Sequence, residues 1–425
     1  MRTLIFLALF PISLFAQVPT NVIIYEEEEE EYAPCEPSIA VHPNDPSIVV
    51  GAAVLDYIFT SSDSGQTWNV DRNESPHGVY GDPCIVTDAK GNFYHLHLSN
   101  PSGEGWENPD ILDRIVCQRS EDNGKSWTEG GSIGLNHPKD QDKEWAVYSA
   151  ENGHLVASWT QFDEYGNSTP ECFSNILFSW SSNGDEWSEP VQINEHSGNC
   201  IDNSGTTEGA VPAAGPDSEI YISWAVNGKI YFDLLAWDGE KYDQLQYDVE
   251  VVSDNANWDF EIPGLGRANG MPITDCDLSG KEHQGRIYIN WADQRNGDDD
   301  TDIWLAYSDD KGGSWTDPIR VNDDNPGRHQ FFTWMDIDQS TGYIYIVFYD
   351  RRHYKDNRTD VYLAVSKDGG DSFENRVISE TPFSPPKKKF FGDYNNISAV
   401  NGVVRPIWTH HEKDKLSVRT ALINE

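Results

Sequence analysis

The sequence predicts an all-β fold, a β-propeller of seven blades, with six as the alternative count. Three observations lead there. The turn Ser308-Asp309-Asp310-Lys311-Gly312-Gly313-Ser314-Trp315 recurs along the chain with one spacing of small residue, acid, glycine and aromatic ring. Short apolar strands recur around it with a period of roughly 45–65 residues, the length of a four-stranded blade. No stretch carries a helical period long enough to argue a second domain.

The turn has a physical reason for each of its residues. Its acid accepts hydrogen bonds from the turn's own backbone, and its glycine supplies the positive φ that the corner needs. Its ring folds back as an apolar plug between strands. Copies stand at Ser61-x-Asp63-x-Gly65-x-x-Trp68, Ser120-x-Asp122-x-Gly124-x-x-Trp127 and Ser366-x-Asp368-x-Gly370-x-x-Phe373. A worn copy ends at Gly184 and Trp187, with Ser182 in the place of the acid, and the unit around Gly239 keeps only the strand rhythm.

Each unit opens with an apolar strand such as Glu36-Pro37-Ser38-Ile39-Ala40-Val41. A second strand such as Arg286 to Trp291, a polar loop, a third strand such as Asp302 to Tyr307, the turn and a fourth strand follow. First strands are expected at Ile39, Ile85, Ala146, Ala210, Met271, Phe332 and Tyr394, which makes seven. The last unit stops after its third strand, Leu416 to Leu422, while Asn21 to Tyr25 resembles a missing fourth. Pairing these two closes the ring and removes an open edge. The acidic run Glu26 to Glu31 then reads as a solvated connection.

The 425 residues carry a net charge of −41, which argues against nucleic acid and anionic membrane surfaces as partners. Clustered acids leave Ca²⁺ open as a ligand, although nothing requires a cofactor and no metal motif appears. Residues 1–16, with a basic start and an apolar run too short to span a bilayer, read as a secretory signal peptide. Residues 17–425 read as one domain of a secreted protein without membrane insertion. In an exported chain the six cysteines are free to pair, and Cys172 with Cys200 is expected first, Cys35 with Cys84 second.

In a blade of this kind the loop between second and third strands and the loop joining successive blades open on one face. The repeated turns lie on the other. The first face holds Trp291 to Arg295 with Asp298 to Asp300, and Tyr349 to His353. The starts of the first strands add Asp82, Glu144, Glu208, Arg267, Arg328, His329 and Asp393, which converge on one central pocket. His95 and His97 alternate on a second strand and so point the same way, as a base or a ligand pair does, though buried structural histidines do the same.

The Ser-x-Asp-x-Gly-x-x-Trp turn is similar to the Asp-box, and nearly the whole mature chain resembles the bacterial sialidase-like propellers. That resemblance implies a glycan as partner and a retaining mechanism with an arginine triad, an acid/base Asp and a Tyr nucleophile activated by a Glu. A tyrosine of ordinary pKa near 10 needs such a carboxylate to take its proton. By position, Tyr394 in Gly392-Asp393-Tyr394 resembles the nucleophile, Glu208 in Thr207-Glu208-Gly209 its activator, and Asp56 the acid/base. Arg328 resembles the third arginine; Arg295, Arg351 and Arg267 with Asp82, Glu144 and Asp393 complete the expected substrate contacts. The first arginine is replaced by Glu36-Pro37-Ser38-Ile39, and Tyr221 to Val226 lacks the second. The expected function is therefore a glycoside hydrolase acting on a glycan in the central pocket. The alternatives are a non-catalytic glycan- or protein-binding propeller and a polysaccharide lyase.

Overall fold

A computed structural model describes residues 18–28, 32–244 and 247–425. The expected signal peptide and part of the acidic run lie outside these residues. Seven antiparallel sheets of at least four strands surround one axis, so the chain forms a seven-bladed propeller. The inner strands are Ser38–Val41, Cys84–Thr87, Asp140–Ser149, Glu208–Ala214, Ile273–Cys276, Gln330–Asp338 and Asn396–Val400. Met271 and Tyr394, expected inside first strands, precede theirs by two residues. An added hairpin, Asp259–Phe260 with Ala268–Asn269, sits between the fourth and fifth blades.

Asn21–Glu26 supplies the outer strand of the last blade, pairing antiparallel with Lys415–Ala421 from Asn21↔Ala421 to Glu26↔Ser417. Ring closure thus joins the two chain ends, as the strand rhythm predicts. Trp159, Trp224, Trp291 and Trp408 are fully buried at one register of the second strands, each following the residue opposite the inner strand's Trp145, Val211, Ile273 or Asn396. Truncating any of these rings costs about 3–5 kcal/mol by transfer and cavity terms. His97 occupies the same register in the second blade, following Leu96 opposite Cys84. That places it in the core, bonded to Gln118 at 3.1 Å, while His95 meets Asn73 at 3.2 Å. Burial pushes the His97 imidazole down to about 4, so both rings read as packing.

The repeated turns staple neighbouring blades. In each the Ser Oγ accepts the glycine N–H, as at Ser308 and Gly312 (2.9 Å), and donates to the Asp. Gly312 has φ +84° and lies so close to Phe232 of the preceding blade that a Cβ there would clash with the ring. The worn turn corrects one expectation: Asn183, not Ser182, takes the acid's role. Ser181 Oγ lies 3.1 Å from Asn183 Oδ1, which accepts the N–H groups of Asp185 and Glu186. The amide oxygen accepts as the carboxylate does, and the turn is one residue shorter before Gly184.

Cys172 and Cys200 are disulfide-bonded across two loops of the third blade, with Cα atoms 5.8 Å apart. The expected Cys35–Cys84 bond is absent: both are buried free thiols, as are Cys117 and Cys276. Equivalence of repeats brings residues to adjacent blades without bringing Cβ vectors together. Among the described residues no helix is long and apolar enough to cross a membrane.

Candidate functional site

The site begins with a backbone irregularity repeated around the axis. Where inner strands meet second strands the register slips between Asp142 and Trp145, Glu208 and Val211, and Phe331 and Trp334. In the first two blades Cys35 O accepts from Val54 N, and Gly81 O from Leu98 N, which spans the same step. The residue inside each bulge adopts positive φ: Glu36 +50°, Asp82 +46°, Lys143 +52°, Gly209 +76° and Phe332 +51°. A bulge re-aims a side chain, and left-handed backbone at a non-glycine costs about 1–3 kcal/mol. Four non-glycine residues hold this conformation at one register, and three of them are charged. The ring turns those charges onto the axis.

There Lys143 meets three acids. Its Nζ lies 3.0 Å from Asp393, 3.2 Å from Asp82 and 3.6 Å from Glu36, in a site that leaves the lysine side chain 5% exposed. Arg267 clasps Asp393 through Nε at 2.8 Å and through a second nitrogen, and reaches Asp202 at 2.7 Å. Asp202 also accepts from the Tyr165 hydroxyl (2.7 Å) and the Trp258 indole N–H (2.9 Å). Asp142, Glu144 and Glu208 complete the cluster, so seven carboxyl groups share two cations.

Environment divides these acids into two kinds. Burial opposes ionisation of Asp393, but the charges of Lys143 and Arg267 outweigh it and hold the carboxyl well below the usual range. Burial drives Glu36, Glu144 and Glu208 well above that range, and neither Glu144 oxygen has a hydrogen-bond partner. Asp142 is pushed up by burial first, then, against the pull of Lys143, by the Asp82 carboxylate with which it shares a hydrogen bond. Two carboxyls this close oppose each other's ionisation, which adds to the rise at Asp142. Of the raised acids Asp142 alone keeps partial exposure.

Aromatic rings frame the opening. A short 3₁₀ turn, Gly105–Glu107, presents Trp106 with 57% of its surface exposed. Its ring lies 5.5 Å from Tyr165, which bonds Asp202, and 6.2 Å from Tyr80. Exposed Phe390 stands beside Arg267. Below, Tyr394 is buried edge-on against Trp145 at 5.0 Å, and its hydroxyl has no partner. Burial raises its phenol well above 10. The inner strands then enclose an axial cavity of about 290 Å³.

Of the residues expected from sequence, Asp82, Glu144, Glu208, Arg267, Asp393 and Tyr394 converge here. Glu208 accepts from Thr160 Oγ1 at 3.0 Å and makes no hydrogen bond with Tyr394. Asp56 pairs with Arg72 at 2.7 Å in the first blade, and Arg295 folds back on Asp293 and over Trp304. Arg328 and Arg351 line a separate cavity of about 200 Å³. Asp142, Lys143, Asp202, Trp106 and Tyr165 were not singled out by the sequence reading. One signal was available: Asp142, Glu208 and Asp393 stand three residues before Trp145, Val211 and Asn396, the same register of three blades. Among the described residues no three His, Cys, Asp or Glu side chains are grouped to hold a metal ion.

No family model matches the chain, and no curated protein sequence is significantly similar to it. Its fold is similar to solved propellers at low identity. A PL25 ulvan lyase bound to -[GlcA(1-4)Rha3S]- is 14% identical, with 96% of each chain covered and a TM-score of 0.58. The NanB sialidase of Streptococcus pneumoniae is 8% identical, covering 89% of this chain and 83% of that one, at 0.50. The Hadza microbial sialidase Hz136 is 12% identical, with 89% and 73% covered, at 0.48.

Proposed function

We propose that the protein is a glycoside hydrolase that works at the axial mouth, with Asp142 as the proton donor. One observation carries this reading: Asp142, the part-exposed carboxyl of the axial cluster, is pushed up by burial and its acidic neighbours while Asp393 of the same cluster is held down by Lys143 and Arg267, and exposed aromatic rings stand over them. Environments that push two carboxyls apart in pKa separate an acid from a base. Trp106 and Tyr165 offer flat apolar faces to a sugar ring, with the Asp202–Arg267 pair beside them. In the reaction Asp142 gives its proton to the glycosidic oxygen as the bond to the anomeric carbon breaks. Water supplies the new hydroxyl, and its surplus proton returns to the carboxyl cluster. Asp202, fixed by three donors, orients the sugar or its attacking water. Propellers of similar fold named as a sialidase and an ulvan lyase support a glycan as substrate.

Tyr394 belongs to the floor in this reading. A phenol nucleophile needs a base on its proton, whereas burial raises this one and Glu208 bonds Thr160 instead. The test is a panel of sialylated, uronic and neutral glycans with Asp142→Asn and Tyr394→Phe variants. New reducing ends that disappear in Asp142→Asn and persist in Tyr394→Phe are expected. Loss in Tyr394→Phe alone points to the tyrosine mechanism. Absorbance from an unsaturated uronate identifies a lyase, and binding without cleavage identifies a binding module.

A further inference from the structure

A second feature of this face is an arginine without an acid. The chain has 71 acidic residues against 30 lysines and arginines, and most arginines here are paired with carboxylates. Arg351 is 2% exposed, stacks over Phe331 and gives Nε to Thr359 Oγ1 (3.1 Å) and one amino group to Pro263 O (2.7 Å). Its other amino group is buried with no partner. Burial pushes the guanidinium down to about 10, and Asp356 is the acid whose charge opposes that. Arg405 also lacks a carboxylate, but backbone carbonyls and Asn424 take up its donors, so it is a staple. Arg351 is left wanting an acceptor. A buried donor in that state costs about 1–3 kcal/mol, more when charged.

Arg351 lines the 200 Å³ cavity together with Arg328, His329, Tyr354 and Asn357. Arg328, partly exposed, makes one side-chain bond, to its neighbour's carbonyl at Gly327 (2.6 Å). Lys355 stands at the rim. Two exposed acids share that rim: Asp299, and Asp356, which Arg358 Nε already holds at 3.0 Å. Pro263 lines both this cavity and a groove of about 860 Å³ that runs along the added hairpin to Arg267 at the mouth. The cavity is therefore the far end of a path from the proposed reaction centre.

We propose that the Arg328–Arg351 cavity is an oxyanion subsite that takes the carboxylate or sulfate ester of an acidic glycan lying in the groove. The inference rests on the glycan-acting reading above. An oxyanion matches two guanidinium forks better than any neutral group. A chain of net charge −41 repels free anions at long range, so the anion is best delivered on a carrier that makes contacts of its own.

The test measures binding by calorimetry on the full mature chain, so it does not depend on cleavage. Three probes are used: an oligosaccharide bearing uronate or sulfate ester, its carboxyl-reduced or desulfated counterpart, and inorganic sulfate. Wild type is expected to prefer the acidic oligosaccharide by about tenfold or more. Arg351→Met and Arg328→Ala should each abolish most of that preference while leaving the neutral probe's affinity unchanged. Arg328→Ala, on a part-exposed residue, keeps the test informative if Arg351→Met fails to fold by its melting curve. Equal affinity for the two oligosaccharides, or a preference that survives both variants, overturns the proposal. So does saturable binding of sulfate with none of the acidic oligosaccharide, which marks a site for a small free anion. If both oligosaccharides bind as expected and neither is cleaved, the hydrolase reading fails and the subsite stands.

Discussion

The two faces of the ring use the same residue in opposite ways. On the face of the repeated turns, Asp122 and Asp310 each accept a serine hydroxyl two residues before and a backbone N–H four residues after. Those bonds, with the hydroxyls of Ser126 and Ser314 foremost, hold both carboxyls below the usual range. At the mouth, Asp142, Glu144 and Glu208 are pushed the other way, chiefly by burial. A turn acid finds its donors within five residues. Asp393 is held by Arg267, 126 residues distant, and by Lys143. Local satisfaction makes an acid a structural part; burial and crowding around two cations push other acids up.

The contrast is broken most severely at Asp142. Asn there should lower turnover by about 10²–10⁴-fold, the usual worth of a general acid, with the melting curve little changed. Lys143→Met comes next and strikes stability. Removing the shared cation takes the ammonium from Glu36 and Asp82 and leaves Asp393 to Arg267 alone, which should cost about 3–5 kcal/mol by denaturant titration. On the other face, Ser61→Ala removes the oxygen that accepts the Gly65 N–H at 2.9 Å and donates to Asp63. A loss of about 1–2 kcal/mol with unchanged activity is expected; a large loss of activity instead would tie the turns to function.

The smallest effect tests the protonated acids. Glu144 titrates higher when folded than unfolded, so its contribution is present below the unfolded pKa and is lost as pH rises toward the folded one. Glu144→Gln should therefore raise Tm at pH 8, by about 1–2 °C, and by nothing at pH 4. A Gln that destabilises equally at both would show that Glu144 is ionised and partnered. Asp393 has the opposite sign: its stabilisation holds above the unfolded pKa and is lost as pH falls toward its depressed folded value.

Much of this arrangement was legible in the residues. The turn spacing placed the blades, Asn21 to Tyr25 announced the closing strand, and loop polarity chose the face on which Asp82, Glu208, Arg267, Asp393 and Tyr394 meet. Ionisable partners were harder. Within Asp142-Lys143-Glu144 the sequence analysis names Glu144 alone, whereas an unbroken strand would put Asp142 beside it on one face and Lys143 on the other. The bulge between Asp142 and Trp145 breaks that alternation and aims Lys143 at the axis. The sequence reading also expected Arg328 and Arg351 at the central pocket, whereas the hairpin carbonyl of Pro263 fixes Arg351 at a cavity of its own.

The sequence by itself thus determined whatever is closed within a few residues: strand period, hairpin turns, and the acids those turns satisfy. Stacking of unit on unit follows, because each leaves an apolar face that only a neighbour can cover; the count of seven over six, and the register of the closing strand, the structure supplies. What the tertiary structure alone decided is which acids are left unsatisfied. That depends on seven strand starts meeting at one axis, where the distance to a single ammonium and the exclusion of water set each carboxyl's proton.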